Sequence, residues 1–223
     1  MNAIIAIGKP DSQHVHSGEG VDFAQLVGPE AWWRLVPAIR RRFAEKALPQ
    51  RPILYSGVMQ KVECSAIGRL VAMLCIPLGR PFAPHHAGGV PVRIILRYRS
   101  ATEVVWEREY RYPGRLPARV RSIKRVERGG LIECVAGLGM RLSVFEAGGA
   151  LHFLSLRYFC TLFGRRVWLP ALLTPGTAHV VHADLGGGAF RFTMTFHHPL
   201  FGTLFHQDGI FRRDGGQQSG DSK

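Results

Sequence analysis

From residue 92 onward, apolar residues recur at every second position in one run after another, and glycine-containing breaks separate the runs. In residues 92–99, Val92, Ile94, Leu96 and Tyr98 fall on one face while Arg93, Arg97 and Arg99 fall on the other. A period of two is the signature of a strand with one buried face. It predicts strands at 104–110, 119–126, 131–136, 140–145, 151–159, 179–184, 190–197 and 204–211, after an earlier one at 53–63. Gly129 with Gly130, Gly148 with Gly149, and Gly186 to Gly188 sit between runs as hairpin turns. Strands joined by turns this short are antiparallel, and a sheet of roughly nine or ten of them must curl, split or close. The expected fold is α+β: a strongly curved antiparallel β-sheet or incomplete barrel, with two N-terminal helices packed on it.

The first helix is expected after Pro29, which suits a first helical turn. Trp32, Trp33, Val36, Ile39, Arg40 and Phe43 recur near helical spacing, and Arg34, Arg41, Arg42 and Lys46 mostly fall elsewhere on the helix. Pro37 removes a hydrogen bond inside that run and is expected to kink it. Ser65 is placed to cap a second helix through Ile67, Leu70, Val71 and Leu74, whose all-round apolar character predicts burial. Residues 1–20 read as a mobile arm, 21–212 as a single globular domain and 213–223 as a mobile tail.

The chain has 223 residues, 46% hydrophobic, enough for a substantial core. Its formal charge of +13 favours anionic partners: nucleic acid, anionic headgroups or acidic metabolites. Cys64, Cys75, Cys134 and Cys160 form no C-x-x-C pair, which argues against a zinc knuckle or redox dithiol and fits a reducing compartment. The longest apolar stretch, residues 70–78, is too short to span a bilayer and no targeting segment is evident, so a cytoplasmic location is expected.

The polar constellations mostly argue against specific chemistries. His179 and His182 are three apart on a strand, hence on opposite faces, so one metal ion could not readily take both. His206 and Asp208 share a face and could form a base with its orienting partner, but no nucleophile elbow accompanies them. The glycines at 137, 139 and 186–188 complete neither a dinucleotide nor a phosphate-loop pattern. Arg119, Arg121 and Arg125 make a basic stripe, but few stacking aromatics accompany it beyond Tyr110 and Tyr112, which disfavours nucleic acid. No metal site and no cofactor is expected.

One arginine stands apart. Arg108 shares its strand face with Val104, Trp106 and Tyr110, and a charge on an apolar face must be paired or must meet a wet cavity. Glu133, between Leu131 and Val135, is a candidate partner. Alternatively Arg108 anchors the acidic head of a ligand whose body lies among Trp106, Tyr158, Trp168 and Phe192. The leading expectation is a domain that binds a hydrophobic or amphipathic anion inside the curved sheet, the proline-bracketed loops 169–175 and 199–202 lining its mouth. The alternatives are an enzyme or enzyme accessory domain acting on such a molecule, and a basic module for nucleic acid or anionic membrane.

Residues 32–43, VWER at 105–108, GLGM at 137–140, WLPALLTP at 168–175 and HPLFG at 198–202 together resemble a bacterial family, the domain of unknown function 4166. The resemblance covers about residues 21–212. It implies a common fold and these boundaries, a dehydrogenase-like nicotinamide-binding domain as a partner of some members, and no catalytic residue.

Overall fold

The computed structural model describes residues 21–45, 51–74, 86–100, 102–128, 130–135 and 137–215. The strands are β1 (Ile53–Cys64), β2 (Val90–Ser100), β3 (Glu103–Tyr110), β4 (Ala118–Glu127), β5 (Gly130–Val135), β6 (Leu138–Ala147), β7 (Ala150–Leu162), β8 (Arg165–Trp168), β9 (Thr177–Gly186), β10 (Ala189–His198) and β11 (Gly202–Arg213). The helices are α1 (Phe23–Val27), α2 (Pro29–Arg34), α3 (Pro37–Ala44) and α4 (Ala66–Leu74).

The sheet closes. Its order is β6-β5-β4-β3-β2-β1-β11-β10-β9-β7, and β6 also pairs with β7, so ten antiparallel strands form a ring. The barrel is therefore complete, not the incomplete one expected from sequence. Strand twist accumulated over ten strands brings the two ends of the sheet together, and closure removes both edges. The closing pair is also local in sequence: β6 and β7 flank Gly148 and Gly149, whose φ values of 59° and 77° give the turn its left-handed bend.

The other junction of β7 is weak. β7 pairs with β9 only from Leu151 to Leu154, opposite His182 to His179. Beyond that, β7 leaves β9 and pairs with β8, a strand outside the ring that the sequence pattern did not predict. Where the two strands part, Ser155 Oγ accepts the Ala178 N–H at 2.8 Å, so a side chain replaces a ladder bond.

Helices α1 to α3 plug one end. Leu35 and Val36 are extended, with ψ of 143° and 137°, so Pro37 starts α3 at its first turn and does not kink a longer helix. Phe23, Ile39 and Phe43 are buried, and Phe43 meets Phe23 edge-on at 5.0 Å and His182 at 5.2 Å. Arg42, which the sequence spacing set apart from the apolar face, is half-buried: three residues from Ile39 and beside Phe43, it borders their face. The Val36 N–H donates to Gly149 O at 3.0 Å and ties the plug to the closing hairpin.

At the far end, Ser65 caps α4 by accepting the Gly68 N–H at 3.0 Å. The expected burial of this helix is not found: Gly68 and Ala72 face the barrel, while Leu70, Met73 and Leu74 are exposed. Its short length leaves room for only one face against β11, and small residues occupy that face. The expected arm, residues 1–20, lies outside the described residues, as do residues 75–85 and 216–223; Arg213, expected in a tail, belongs to β11.

Gly139 in β6 lies opposite Phe159 in β7, and the Phe159 ring covers the space a Cβ would need. Replacing Gly139 with Ala should therefore destabilise the barrel by about 1–3 kcal/mol, lowering the melting temperature by roughly 2–4 °C per kcal/mol. An unchanged melting temperature would show that the ring moves aside freely.

Candidate functional site

Between the plug and the far end the barrel encloses a cavity of about 60 Å³. At about 10–15 Å³ per water, that is room for roughly four to six waters or the body of a small organic molecule. Much of the wall is apolar, from Phe153, Val180, Met194, Phe196 and Phe205 among others. Set into it is a compact polar group.

Strand alternation builds that group. On β3 the inward positions are Val104, Trp106, Arg108 and Tyr110, whereas Glu107 and Glu109 point out to pair with Arg97 and Arg119, each at 3.0 Å. The β4–β5 register places Lys124 directly opposite Glu133. Lys124 Nζ lies 2.6 Å from Glu133 Oε1, and both side chains are about 7% exposed. Arg108 Nη2 lies 3.9 Å from the same oxygen, a loose contact. Burial lowers the Lys124 pKa, and Glu133 only partly offsets it. Burial also pushes the Glu133 carboxyl up, but Lys124 and Arg108 together hold it below the usual carboxylate range.

Trp106 Nε1 and Gln207 Nε2, donors near these charges, have no partner among the described residues. The Gln207 amide is oriented by Tyr110, whose hydroxyl donates to Oε1 at 3.1 Å. Toward the plug, the Arg42 guanidinium stacks on Phe190, its carbon 3.1 Å from the ring centroid and 4.9 Å from that of Tyr55. Burial lowers the Arg42 pKa to about 10. Arg42 Nη2 is 3.2 Å from His182 Nδ1; because a guanidinium can only donate, Nδ1 accepts and the imidazole is protonated at Nε2.

Of the six residues expected from sequence, Trp106, Arg108, Glu133, Tyr158 and Phe192 line this cavity together. Trp168 does not. It lies on β8, outside the ring, edge-on to Phe159 at 5.4 Å with the Arg157 guanidinium 4.6 Å from its ring centroid. The expected Arg108–Glu133 pair exists only as the long contact, because Lys124 holds the carboxylate. Lys124, His182, Gln207 and Arg42 escaped the sequence reading. Parity would have found three of them: Lys124 alternates with Val120 and Ser122, His182 with Ala178 and Val180, and Gln207 with Phe205 and Phe211.

Residues 35–211 match the model of a family described as a domain of unknown function, DUF4166. The chain belongs to that family. The match begins just before α3 and ends within β11, so this DUF4166 domain comprises the last plug helix and the ring. No curated protein and no solved structure matches the chain.

The remaining constellations of this DUF4166 chain do not assemble into a second site among the described residues. His206 bonds Thr195 Oγ1 at 2.8 Å and Asp208 binds Arg191, so the two do not join as a base and its orienting partner. His179 points outward to His152, at 3.0 Å, while His182 points inward. Among the described residues no three His, Cys, Asp or Glu side chains converge as a metal-binding group. Tyr110 and Tyr112, the aromatics nearest the basic stripe, are buried and offer nucleic acid no stacking surface.

His182 makes the site sensitive to acid. Burial first, then the charges of Arg42, Lys124 and Arg108, hold its pKa well below 6.5. The unfolded state therefore binds a proton that the folded state refuses. Stability should be complete above about pH 6.5 and fall below it, by up to about 1.4 kcal/mol per pH unit, until the depressed folded value is reached. His179, also lowered, adds in the same direction. Denaturation midpoints between about pH 7.5 and 5, before most carboxylates titrate, should fall more steeply for the native protein than for His182→Gln. Equal slopes would mean that His182 is not held neutral.

Proposed function

We propose that the barrel binds a small amphipathic anion in its interior, as a non-enzymatic carrier or sensor domain. The observation that carries this reading is Arg108. Its side chain is buried and lines the cavity, and among the described residues the only carboxylate near it is already engaged by Lys124 at 2.6 Å. Counting Arg42 on the plug, the described residues set three basic side chains against one carboxylate here. A buried charge without a close counter-ion is costly, and a ligand anion would remove that cost.

The neighbouring donors strengthen the case. Trp106 Nε1 and Gln207 Nε2 would both face an acceptor, and a carboxylate head offers one to each while pairing with Arg108. The apolar wall formed by Met194, Phe196 and Phe205 would hold the body of the ligand. The cavity volume favours a short chain or a single ring over a long acyl chain. Loops 169–175 and 199–202 flank a groove on the outside that shares Tyr158 with the cavity, at the place where β7 and β9 part. That seam would be the way in.

Native mass spectrometry of gently purified protein, followed by organic extraction, should reveal a stoichiometric small anion. Where none survives purification, thermal-shift titration with short carboxylates and with the matching uncharged alcohols replaces it. The carboxylates should stabilise the protein and the alcohols should not. Arg108→Met leaves the Lys124–Glu133 pair intact, so it should retain the fold and lose the stabilisation. Equal response to acids and alcohols, or undiminished binding by Arg108→Met, would sink the reading.

A further inference from the structure

We infer that the far end of the barrel is a docking face for an anionic lipid surface. The inference does not depend on what fills the cavity. In an antiparallel ring successive connections alternate between the two ends, so the plug helices and the connections bearing α4, the Ala171–Leu173 turn and residues 199–201 lie at opposite ends.

Helix α4 is built inside out for a helix surrounded by water. Its contact face is made of the small residues Gly68 and Ala72, and a Cβ on Gly68 would collide with the Leu204 carbonyl. Its large residues face away: Leu70 is 52% exposed, Met73 55% and Leu74 70%. A helix covering a core presents the reverse arrangement.

The same pattern recurs beside it. Leu172 and Leu173, in the short turn after β8, are 61% and 74% exposed, and Leu200 and Phe201, in the β10–β11 turn, are 68% and 50%. The three segments are contiguous. Val71 of α4 and Pro175 line one crevice, and Ala171 and Pro199 line another. Scattered exposed apolar residues are ordinary, but a cluster on three adjoining segments marks an interaction surface.

Charge selects the partner. The connections and strand ends on this side carry Arg69, Arg111, Arg115, Arg157 and Arg165. Their carboxylates, Glu63 and Glu109, are each engaged by cations, Glu63 by Lys61 and Glu109 by Arg111 and Arg119. A second copy of the chain meeting this face symmetrically would bring the same positive rim against it. An anionic bilayer offers both acyl surface for the leucines and countercharge for the arginines. Among the described residues no helix is long and apolar enough to cross a membrane, and the outer wall of β2–β4 carries ion pairs such as Arg97–Glu107. Contact is thus at the barrel's end, not around its girth.

The full chain should co-sediment with mixed phosphatidylcholine–phosphatidylglycerol vesicles and weakly or not at all with phosphatidylcholine alone. Leu172→Asp combined with Leu173→Asp should lower partitioning by more than about 100-fold, and Leu70→Asp with Leu74→Asp likewise. All four side chains are exposed, so the variants should keep the native melting temperature. Arg115→Gln with Arg165→Gln should weaken binding to the anionic vesicles by about 30-fold. Absence of co-sedimentation, or binding unaffected by both leucine pairs, overturns the proposal. A concentration-dependent dimer in light scattering that the leucine variants abolish also overturns it, and assigns the face to self-association.

Discussion

Everything inside this protein depends on how β7 divides its two edges. One edge pairs with β6 from Leu138 opposite Cys160 to Ala147 opposite Ala150 and closes the ring through a tight glycine turn. The other gives four residues to β9 and then four to β8. The β7–β9 ladder has four residue pairs and the two ladders of β5 have five each, so the ring is closed but not uniformly strong, because local opening follows the fewest hydrogen bonds. The weak junction lies beside Tyr158, on the cavity wall, and Ser155 closes it with a single side-chain bond. Closure encloses the interior, and the incomplete ladder gives it a seam.

The strand pattern was legible because the buried face of each strand is set by parity, and parity is written directly in the sequence. Arg108 and Glu133 were found in this way. Lys124 was hidden by its neighbours: Arg121 and Arg125 made the run look like one basic surface, although Lys124 has the opposite parity to both. Closure itself was not legible, since twist and register decide whether the ends of a ten-strand sheet meet, and neither is encoded at single positions. Trp168 was misplaced for a related reason. An aromatic beside prolines looks like the lip of a cavity, but the short strand before it left the ring and carried the indole to the outside.

The plug shows the same division between local and distant information. Pro37 and its extended neighbours mark a helix start, and the spacing of Ile39, Arg42 and Phe43 marks a shared face. What the sequence could not show is that this face enters a barrel lined by Tyr55, His182 and Phe190, residues drawn from three distant strands. There the guanidinium of Arg42 is solvated by rings and by a neutral imidazole, a weaker environment than water and the reason its pKa falls to about 10.

The interior and the far end repeat one physical theme at different depths. Within the barrel, Arg108 and Lys124 share a single carboxylate, Glu133, and Lys124 holds it more closely. At the far end, arginines surround leucines that nothing in the described chain covers. Charge and apolar surface held side by side are costly in isolation, and they are compatible with a partner that is amphipathic and anionic. A carboxylate with an apolar body has that character at the scale of the cavity, and a bilayer of acidic lipids has it at the scale of the rim. The composition of the chain, basic and apolar together, therefore reads as a single preference expressed at two sizes.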